Sequence, residues 1–533
     1  MKSVSRIVTV LLITVLLFSL ISRLLEKKET PTTNALKDNF HQSESVCIDI
    51  RNDSAFIDYG WLGSGTELDP FALQNQALGM LGEFGSITIH NTSSYFVIRN
   101  CQLLQMDIVL WNVSNGRFEE CTFTNSSIII DSCHDCELID NEFSNPLLSE
   151  EWEMIWMLQS SGCEIIQNSF SNGFRGIFLL ESNDTTISDN TFTDFIHGGV
   201  SGEFANTTLT NNFFYGTGVR MEFWDPRISV SPPTIENNKV NGKELGIFFN
   251  LVGVQVVADQ YGQVILGNCN DTTVIGGTFI DCSTGVQIIS CNNCTVQSAS
   301  ISDCSWQGIT AERSAHTRII DSQVRNCSEE GIFLSICPFY TIENCTLEDN
   351  NFRGTYPHIY SNNGTVANCT IRRNGLFGGG AGISLSNNST AIGNTITGYY
   401  YGIYIYGGYC LIVDNVITHN GFGIVIGELF TGYGESPHGN RIYGNEIGWN
   451  YGANAVDTSW SSNQWDDGVS LGNSWSDYYG IGFYQISEGT VDHFPKLLPE
   501  GGVPLFFIHV GIGVSSGIII IAIILKRRAR NIE

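Results

Sequence analysis

The chain has 533 residues, 42% of them hydrophobic and only 15% charged, with 56 Gly and 12 Pro. It is too glycine-rich for a helical protein and too aromatic and β-branched for a disordered one, so it reads as all-β with many turns. A formal net charge of −28 repels phosphate backbones and argues against nucleic acid as a partner.

The first segment, residues 1–29, opens with "MKSVSRIVTVLLITVLLFSLIS". Lys2 and Arg6 precede an apolar run from Ile7 to Ile21, the layout of a secretory signal. No A-x-A cleavage site follows, so the segment is expected to be a signal peptide or a retained signal anchor. Residues 30–59 are expected to be a linker and a lead-in to the folded part.

Residues 60–450 are expected to be the repeat region, and from residue 95 to 450 one phrase recurs: apolar, two residues, small polar, one residue, apolar. "FEECTF", "ISDNTF", "IENCTL", "VANCTI" and "IYGNEI" are clear copies. Taking the last apolar residue of each copy as its origin gives fifteen rungs. They are Leu103, Phe123, Phe143, Phe170, Phe192, Phe214, Val240, Phe279, Ile301, Val324, Leu347, Ile371, Ile396, Ile417 and Ile447. Most steps are 20 to 27 residues, with 39 before Phe279 and 30 before Ile447. Apolar or small residues recur within each rung at steps of two, which is strand alternation, and of three, which marks corners. A period of this length built from short strand pieces predicts a coiled parallel sheet in which each rung buries its face on its neighbours. Fifteen rungs at about 4.8 Å make a rod roughly 70 Å long. Residues 238–269 break the rhythm and are expected to be an irregular insertion.

The sixteen cysteines fall on this lattice, Cys47 excepted. Cys101, Cys121, Cys345 and Cys369 share the slot two before the origin with Asn141, Asn168, Asn190, Asn212, Asn238, Asn394, Asn415 and Asn445. Cysteine there replaces a small inward residue, which predicts a structural ladder of free, buried thiols. The pairs "CHDC" (133 to 136) and "CNNC" (291 to 294) share one corner, so their spacing needs no zinc. Disulfides stay open: neighbouring rungs are close enough for a bridge, but in-register side chains point in parallel and would strain it.

Residues 451–500 are expected to form a C-terminal cap, with Trp465, Trp475 and Tyr478 covering the open end of the coil. A calcium site at Asp466, Asp467 and Asp477 is the alternative for that cluster. Residues 503–525 are largely apolar, and as a helix would be about 34 Å long, enough to span a bilayer. Lys526, Arg527, Arg528 and Arg530 follow, which places the tail 526–533 in the cytoplasm and the bulk of the chain outside the cell membrane. N-x-[ST] sequons such as Asn91, Asn112, Asn326, Asn344 and Asn368 suit a glycosylated exterior protein, although an Asn/Thr-rich repeat also creates them by chance.

Over roughly residues 60 to 490 the phrases resemble the right-handed parallel β-helix repeats of the NosD-like and pectate-lyase-like superfamily. "GIFLLESNDTTISDNTF" and "GISLSNNSTAIGNTI" carry its Gly-Ile-x-Leu…Ile-x-x-Asn-x-Ile form. "GWLGSGTELDPFAL" (60 to 73), the insertion from "NKVNGKELGIFFN" to "YGQVILGNC" (238 to 269), and "NQWDDGVSLGNSWSDYYG" (463 to 480) resemble prokaryotic cell-surface members. The resemblance implies a fold and not a function.

Three functions compete. The favoured one is a non-catalytic, membrane-anchored glycan-binding or scaffold protein. In "YYYGIYIYGGY", Ile403 and Ile405 take inward places, so Tyr404 and Tyr406 are expected to face outward, where aromatic rings stack on sugars. The second is a polysaccharide lyase or hydrolase. Lyases of the group resemble one another in a Ca²⁺-binding carboxylate cluster beside a basic residue. Asp281, Asp303 and Asp349 share one outward position here, which Arg373 occupies one rung later. No cofactor is required by the favoured reading, with Ca²⁺ the one possibility. The third is NosD-like metal delivery, for which ten dispersed His and six Met supply no copper motif.

Overall fold

The computed structural model describes residues 46–498 except 146–152, 223–231, 359–360, 376–377, 428–436 and 460–461. The segments 1–29 and 503–533, with the expected signal and membrane helix, lie outside the described residues. Among the described residues no helix is long and apolar enough to cross a membrane.

The chain winds as a parallel β-solenoid. Each short strand pairs in parallel and in register with its counterpart one turn later. One inward row runs Leu78, Leu103, Phe123, Phe143, Phe170, Phe192, Phe214 and Val240. A second runs from Phe279 through Ile301, Val324, Leu347, Ile371, Ile396, Ile417 and Ile447 to Trp475, beyond which the exposed Leu497 pairs in register. The coil has about 18 turns rather than fifteen; the additional origins are Leu78, Trp475 and Leu497. They escape the sequence phrase because the small polar residue two before each is absent or belongs to the cap. Strand spacing fixes the ring geometry: Phe123 and Phe143 stack at 4.3 Å, Phe143 and Phe170 at 4.8 Å, Phe170 and Phe192 at 4.8 Å.

Beside that row the Asn/Cys slot forms the ladder its spacing implies. Asn190 Oδ1 accepts from the Asn168 N–H at 2.8 Å, and Asn190 Nδ2 donates to the Ile165 carbonyl at 2.8 Å and to Asn212 Oδ1 at 3.0 Å. A buried amide is thereby satisfied on every side. Cysteine enters the same ladder: the Cys345 N–H donates to Cys369 Sγ at 3.4 Å, while Cys345 Sγ faces the carbonyls of Ile319 and Glu343. The fifteen cysteines other than Cys47 are buried thiols outside any disulfide.

The corners are left-handed. Asn91, Asn112, Asn125, Asn206, Asn326, Asn344, Asn363, Asn368 and Asn388 have φ between 47° and 59°. Asn and Asp tolerate this region because their short polar side chains bond locally. The density of sequons therefore has a backbone cause.

The coil starts with Cys47–Ile50, paired in parallel with Gly85–Thr92. A helix, Asp53–Asp58, follows; the Asn52 side chain caps it, and its Phe56 stacks on Phe71 at 4.7 Å to close the first turns. At the other end Trp465 and Trp475 are buried, and Tyr484 stacks on Trp475 at 4.0 Å.

The irregular stretch after residue 238 is a reversal of chain direction. Val240 and Lys243 pair antiparallel across Asn241 (φ 49°) and Gly242 (φ 82°), the Asn-Gly turn that suits a two-residue hairpin. The eight-stranded sheet ends at Thr234–Glu236, and a separate nine-stranded sheet begins at Gln255–Val257. The solenoid is thus two stacks joined at this reversal, with one long 24-stranded sheet continuing through both.

Candidate functional site

The residues singled out in the sequence occupy three settings. Tyr404 lies on the outward row of the long sheet, level with Ser384 and Val425. Its ring is nevertheless covered: it is 4% exposed, lies 5.2 Å from the Tyr401 ring, and its hydroxyl donates to the Gly427 carbonyl at 2.8 Å. The expectation of an outward, open Tyr404 is corrected, because strand alternation sets which way Cβ points and not what packs over it. Tyr406 is half-buried, and burial raises its phenol well above the ordinary value.

Asp281, Asp303 and Asp349 are left-handed corner residues, with φ of 54°, 59° and 54°. Asp303 Oδ1 accepts from Asn326 Nδ2 at 3.1 Å, and Asp349 accepts from the Asn374 N–H and Nδ2. Burial, then the charges of Asp194 and Asp303, raise the Asp281 carboxyl. Arg373 is held by Asn351, with Nη2 donating to its Oδ1 at 2.8 Å and Nη1 to its carbonyl. The shared position is explained by backbone conformation. Among the described residues no group of three or more His, Cys, Asp or Glu is arranged to hold a metal ion.

A different cluster stands out at the join of the two stacks. The strand Val219–Met221 ends the first stack, and its free edge is closed by side chains of the second. Gln263 accepts from the Val219 N–H at 2.8 Å and donates to its carbonyl at 2.6 Å; Gln287 does the same for Met221 at 3.0 and 2.7 Å. Ser305 of the second stack also donates to the Ile196 carbonyl at 2.8 Å. This docking brings charged residues of both stacks together around Arg220.

Arg220 is the centre and is only 8% exposed. Its Nε lies 3.4 Å from Glu222 Oε1 and its Nη2 3.9 Å from Glu312 Oε1, while the guanidinium stands 5.6 Å from the Trp306 ring. Neither Nε nor Nη1 has a hydrogen-bond partner among the described residues. Behind it, Arg175 donates to Glu153 at 2.8 Å, to Glu222 at 3.3 Å and to His197 Nδ1 at 3.0 Å. Burial, then Arg220 and Arg175, hold His197 well below the ordinary imidazole value, so it stays neutral and accepts from Arg175. Burial raises the Glu312 carboxyl, Arg220 opposes this, and Glu222 adds to it. The Glu312 side chain keeps 25% exposure and marks where the cluster meets solvent.

Among the described residues, Ser201 Oγ, in register with Arg220, and Thr310 Oγ1, Trp306 Nε1 and Gln307 Oε1 are buried polar atoms without a hydrogen-bond partner. Such groups cost about 1–3 kcal/mol each unless something, ordered water included, pairs with them. The polar strip continues along the coil. Gln307 Nε2 donates to Glu330 at 2.8 Å, Arg353 donates to Glu330 at 3.0 Å, and the Arg353 guanidinium lies 3.7 Å from the Tyr356 ring. From Gln287 the outward row passes through Thr310, Phe333, Tyr356 and Ser384 to Tyr404, five steps or about 24 Å.

Sequence reasoning missed this cluster because its members come from two stacks. A signal was present. The residue before the recurring glycine is Arg175, Gln307, Glu330 and Arg353 in "RGIFLL", "QGITAE", "EGIFLS" and "RGTYPH", and aromatic in Tyr401 and Phe422.

Two family models match the chain. Residues 307–480 match the one described as periplasmic copper-binding protein (NosD), and residues 85–260 and 153–356 match the one described as right handed beta helix region. The second spans 85–356, just over half of the chain. No curated protein matches. Among solved structures, the periplasmic alginate epimerase AlgG is similar at 10% identity over 71% of this chain and 76% of that one, with a TM-score of 0.22. The A-module of the Azotobacter vinelandii mannuronan C-5 epimerase AlgE6 is similar at 13% identity over 68% and 98%, with a TM-score of 0.23. A mutant tailspike protein of E. coli bacteriophage HK620, in complex with pentasaccharide, is similar at 13% identity over 66% and 68%, with a TM-score of 0.25. Superpositions this loose carry no argument about the chemistry of this chain.

Proposed function

Since the chain belongs to the right-handed parallel β-helix proteins of the NosD-like, pectate-lyase-like type, we propose that it is a membrane-anchored surface protein that binds an extended saccharide along the flank centred on Arg220 and Trp306. The observation that carries this reading is Arg220, a buried guanidinium beside an indole face whose Nε and Nη1 have no hydrogen-bond partner among the described residues. A sugar supplies hydroxyl or carboxylate oxygens for the Arg220 guanidinium and an apolar ring face for the partly exposed Trp306. The strip toward Arg353 and Tyr356 offers repeated sites, so affinity should grow with chain length. Anchoring rests on the apolar segment 503–525 and its basic tail, with residues 30–500 outside the cell.

The test is a glycan array followed by titration calorimetry with the full chain, with and without Ca²⁺. Arg220→Gln and Trp306→Leu should each weaken binding at least tenfold when measured below each variant's own thermal midpoint, which Arg220→Gln lowers by removing a buried cation from beside Glu222 and Glu312. Binding unchanged by both substitutions would move the site elsewhere.

One observation favours a second, catalytic reading. Glu222 and Glu312 approach the same guanidinium, and burial raises the Glu312 carboxyl above its ordinary value, the direction general-acid work requires. Release of new sugar ends that Glu312→Gln abolishes would establish it. The copper binding in the NosD description is said of that family and is not carried to this chain.

A further inference from the structure

We propose that the C-terminal cap rests on the lipid bilayer through the loop Tyr479–Phe483. This rests on the anchored reading above and adds a contact surface and an orientation to it.

In a chain of net charge −28, residues 478–487, "YYGIGFYQIS", carry no charge. Their large side chains are presented to solvent: Tyr479 is 91% exposed, Ile481 86% and Phe483 65%. Alternating glycines make this possible. Gly480 (φ 80°) and Gly482 (φ 76°) take backbone conformations that other residues resist, and open space surrounds both. The Tyr478 hydroxyl donates to the Gly482 carbonyl at 2.7 Å and ties the loop into a compact turn. The apolar surface continues through the ring contact of Phe483 with His493 at 5.1 Å, and Lys496 and Leu497 are exposed on the last strand. Aromatic and aliphatic side chains beside a lysine match the interfacial zone of a membrane, where rings sit among headgroups and lysine reaches phosphates.

Chain length says what covers this patch. Leu498 is fixed to the cap, its N–H donating to the Trp475 carbonyl at 3.0 Å, and Trp475 stacks on Tyr484, the neighbour of Phe483. The apolar segment begins at Val503. Five Cα steps span at most about 19 Å. The cap is therefore the part of the ectodomain that its anchor holds against the bilayer, and the exposed loop belongs to the same end.

The experiment uses the full chain in phosphatidylcholine nanodiscs, with a photo-crosslinking benzoylphenylalanine at position 481 or 483, and at position 68 as control. Leu68 is equally open, at 97% exposure, but lies in the first turns of the coil. Lipid adducts at 481 and 483 at least tenfold above those at 68 are expected. Equal yields, or adducts to a second copy of the chain, would overturn the proposal while leaving the anchor intact. A chain that washes off the nanodiscs at alkaline pH would overturn the anchor and the proposal together.

Discussion

The side-chain amide of Gln287 takes the place of a missing β-strand against Met221, 66 residues earlier in the chain: it donates to the Met221 carbonyl at 2.7 Å and accepts from the Met221 N–H at 3.0 Å. Gln263 does the same for Val219. These two amides splice the first stack of the solenoid to the second, and they hold Arg220 where it meets Trp306 and Glu312. Buried glutamines in a parallel sheet are costly unless fully paired, and here each is paired by a backbone edge that would otherwise be an orphan.

Replacing Gln287 with Leu should therefore destabilise the join by about 1–3 kcal/mol for each Met221 group left unpaired. Chemical denaturation should show it, and the loss should appear as a broadened or split transition as the two stacks uncouple. A single unshifted transition would mean that the splice contributes nothing.

The ladder slot predicts which substitutions are tolerated. Cys345 Sγ faces the carbonyl two residues back and the carbonyl of the preceding turn, the same kinds of partner that Asn168 Nδ2 finds in Ile166 and Leu138. Cys345→Asn should stay within about 1 kcal/mol of neutral, whereas Asn190→Ala should cost about 1–3 kcal/mol by orphaning the Asn168 N–H and the Ile165 carbonyl. Urea midpoints compare the two. Mass spectrometry after thiol blocking should recover Cys345 and Cys369 unlinked, because each sulfur faces backbone carbonyls.

Acid should weaken the Arg220 cluster through His197. Its folded-state value is depressed below the ordinary 6.5, by burial first and then by Arg220 and Arg175. The unfolded chain takes up a proton that the folded chain refuses, so this contribution is present above about pH 6.5 and is lost as pH falls through and below it. Glu312 acts in the opposite sense: its value is raised above 4.5, so its contribution is present below 4.5 and is lost as pH rises through the folded value. His197→Gln should flatten the fall in thermal midpoint below pH 6.5, and Glu312→Gln should raise the midpoint at neutral pH.

The corner aspartates should behave as backbone residues. Asp303→Asn preserves tolerance of φ 59° and should leave the midpoint unchanged, while Asp303→Val should cost about 1–2 kcal/mol from left-handed strain. Adding Ca²⁺ should shift neither variant nor the wild type. A calcium-dependent rise in the wild type that Asp303→Asn removes would restore the metal reading.

The coil, its rows and the occupants of its ladder were all legible in the residue pattern. A repeat of twenty-odd residues repeats its inward positions, and in-register stacking leaves Phe123 nowhere to lie but on Phe143. What it did not show was the reversal at Asn241–Gly242, which lies inside a segment legible only as irregular, or the covering of Tyr404, whose outward Cβ direction says nothing about the chain that packs over it. The Arg220 cluster was decided by tertiary structure alone. Arg175, His197, Arg220 and Glu222 lie on one stack and Trp306 and Glu312 on the other, and a repeat pattern relates each residue only to its own turn and the next. Their meeting depends on a strand edge of one stack being closed by two glutamines of the other. That is a contact between distant parts of the chain, and the local periodicity that wrote the fold so plainly carries no record of it.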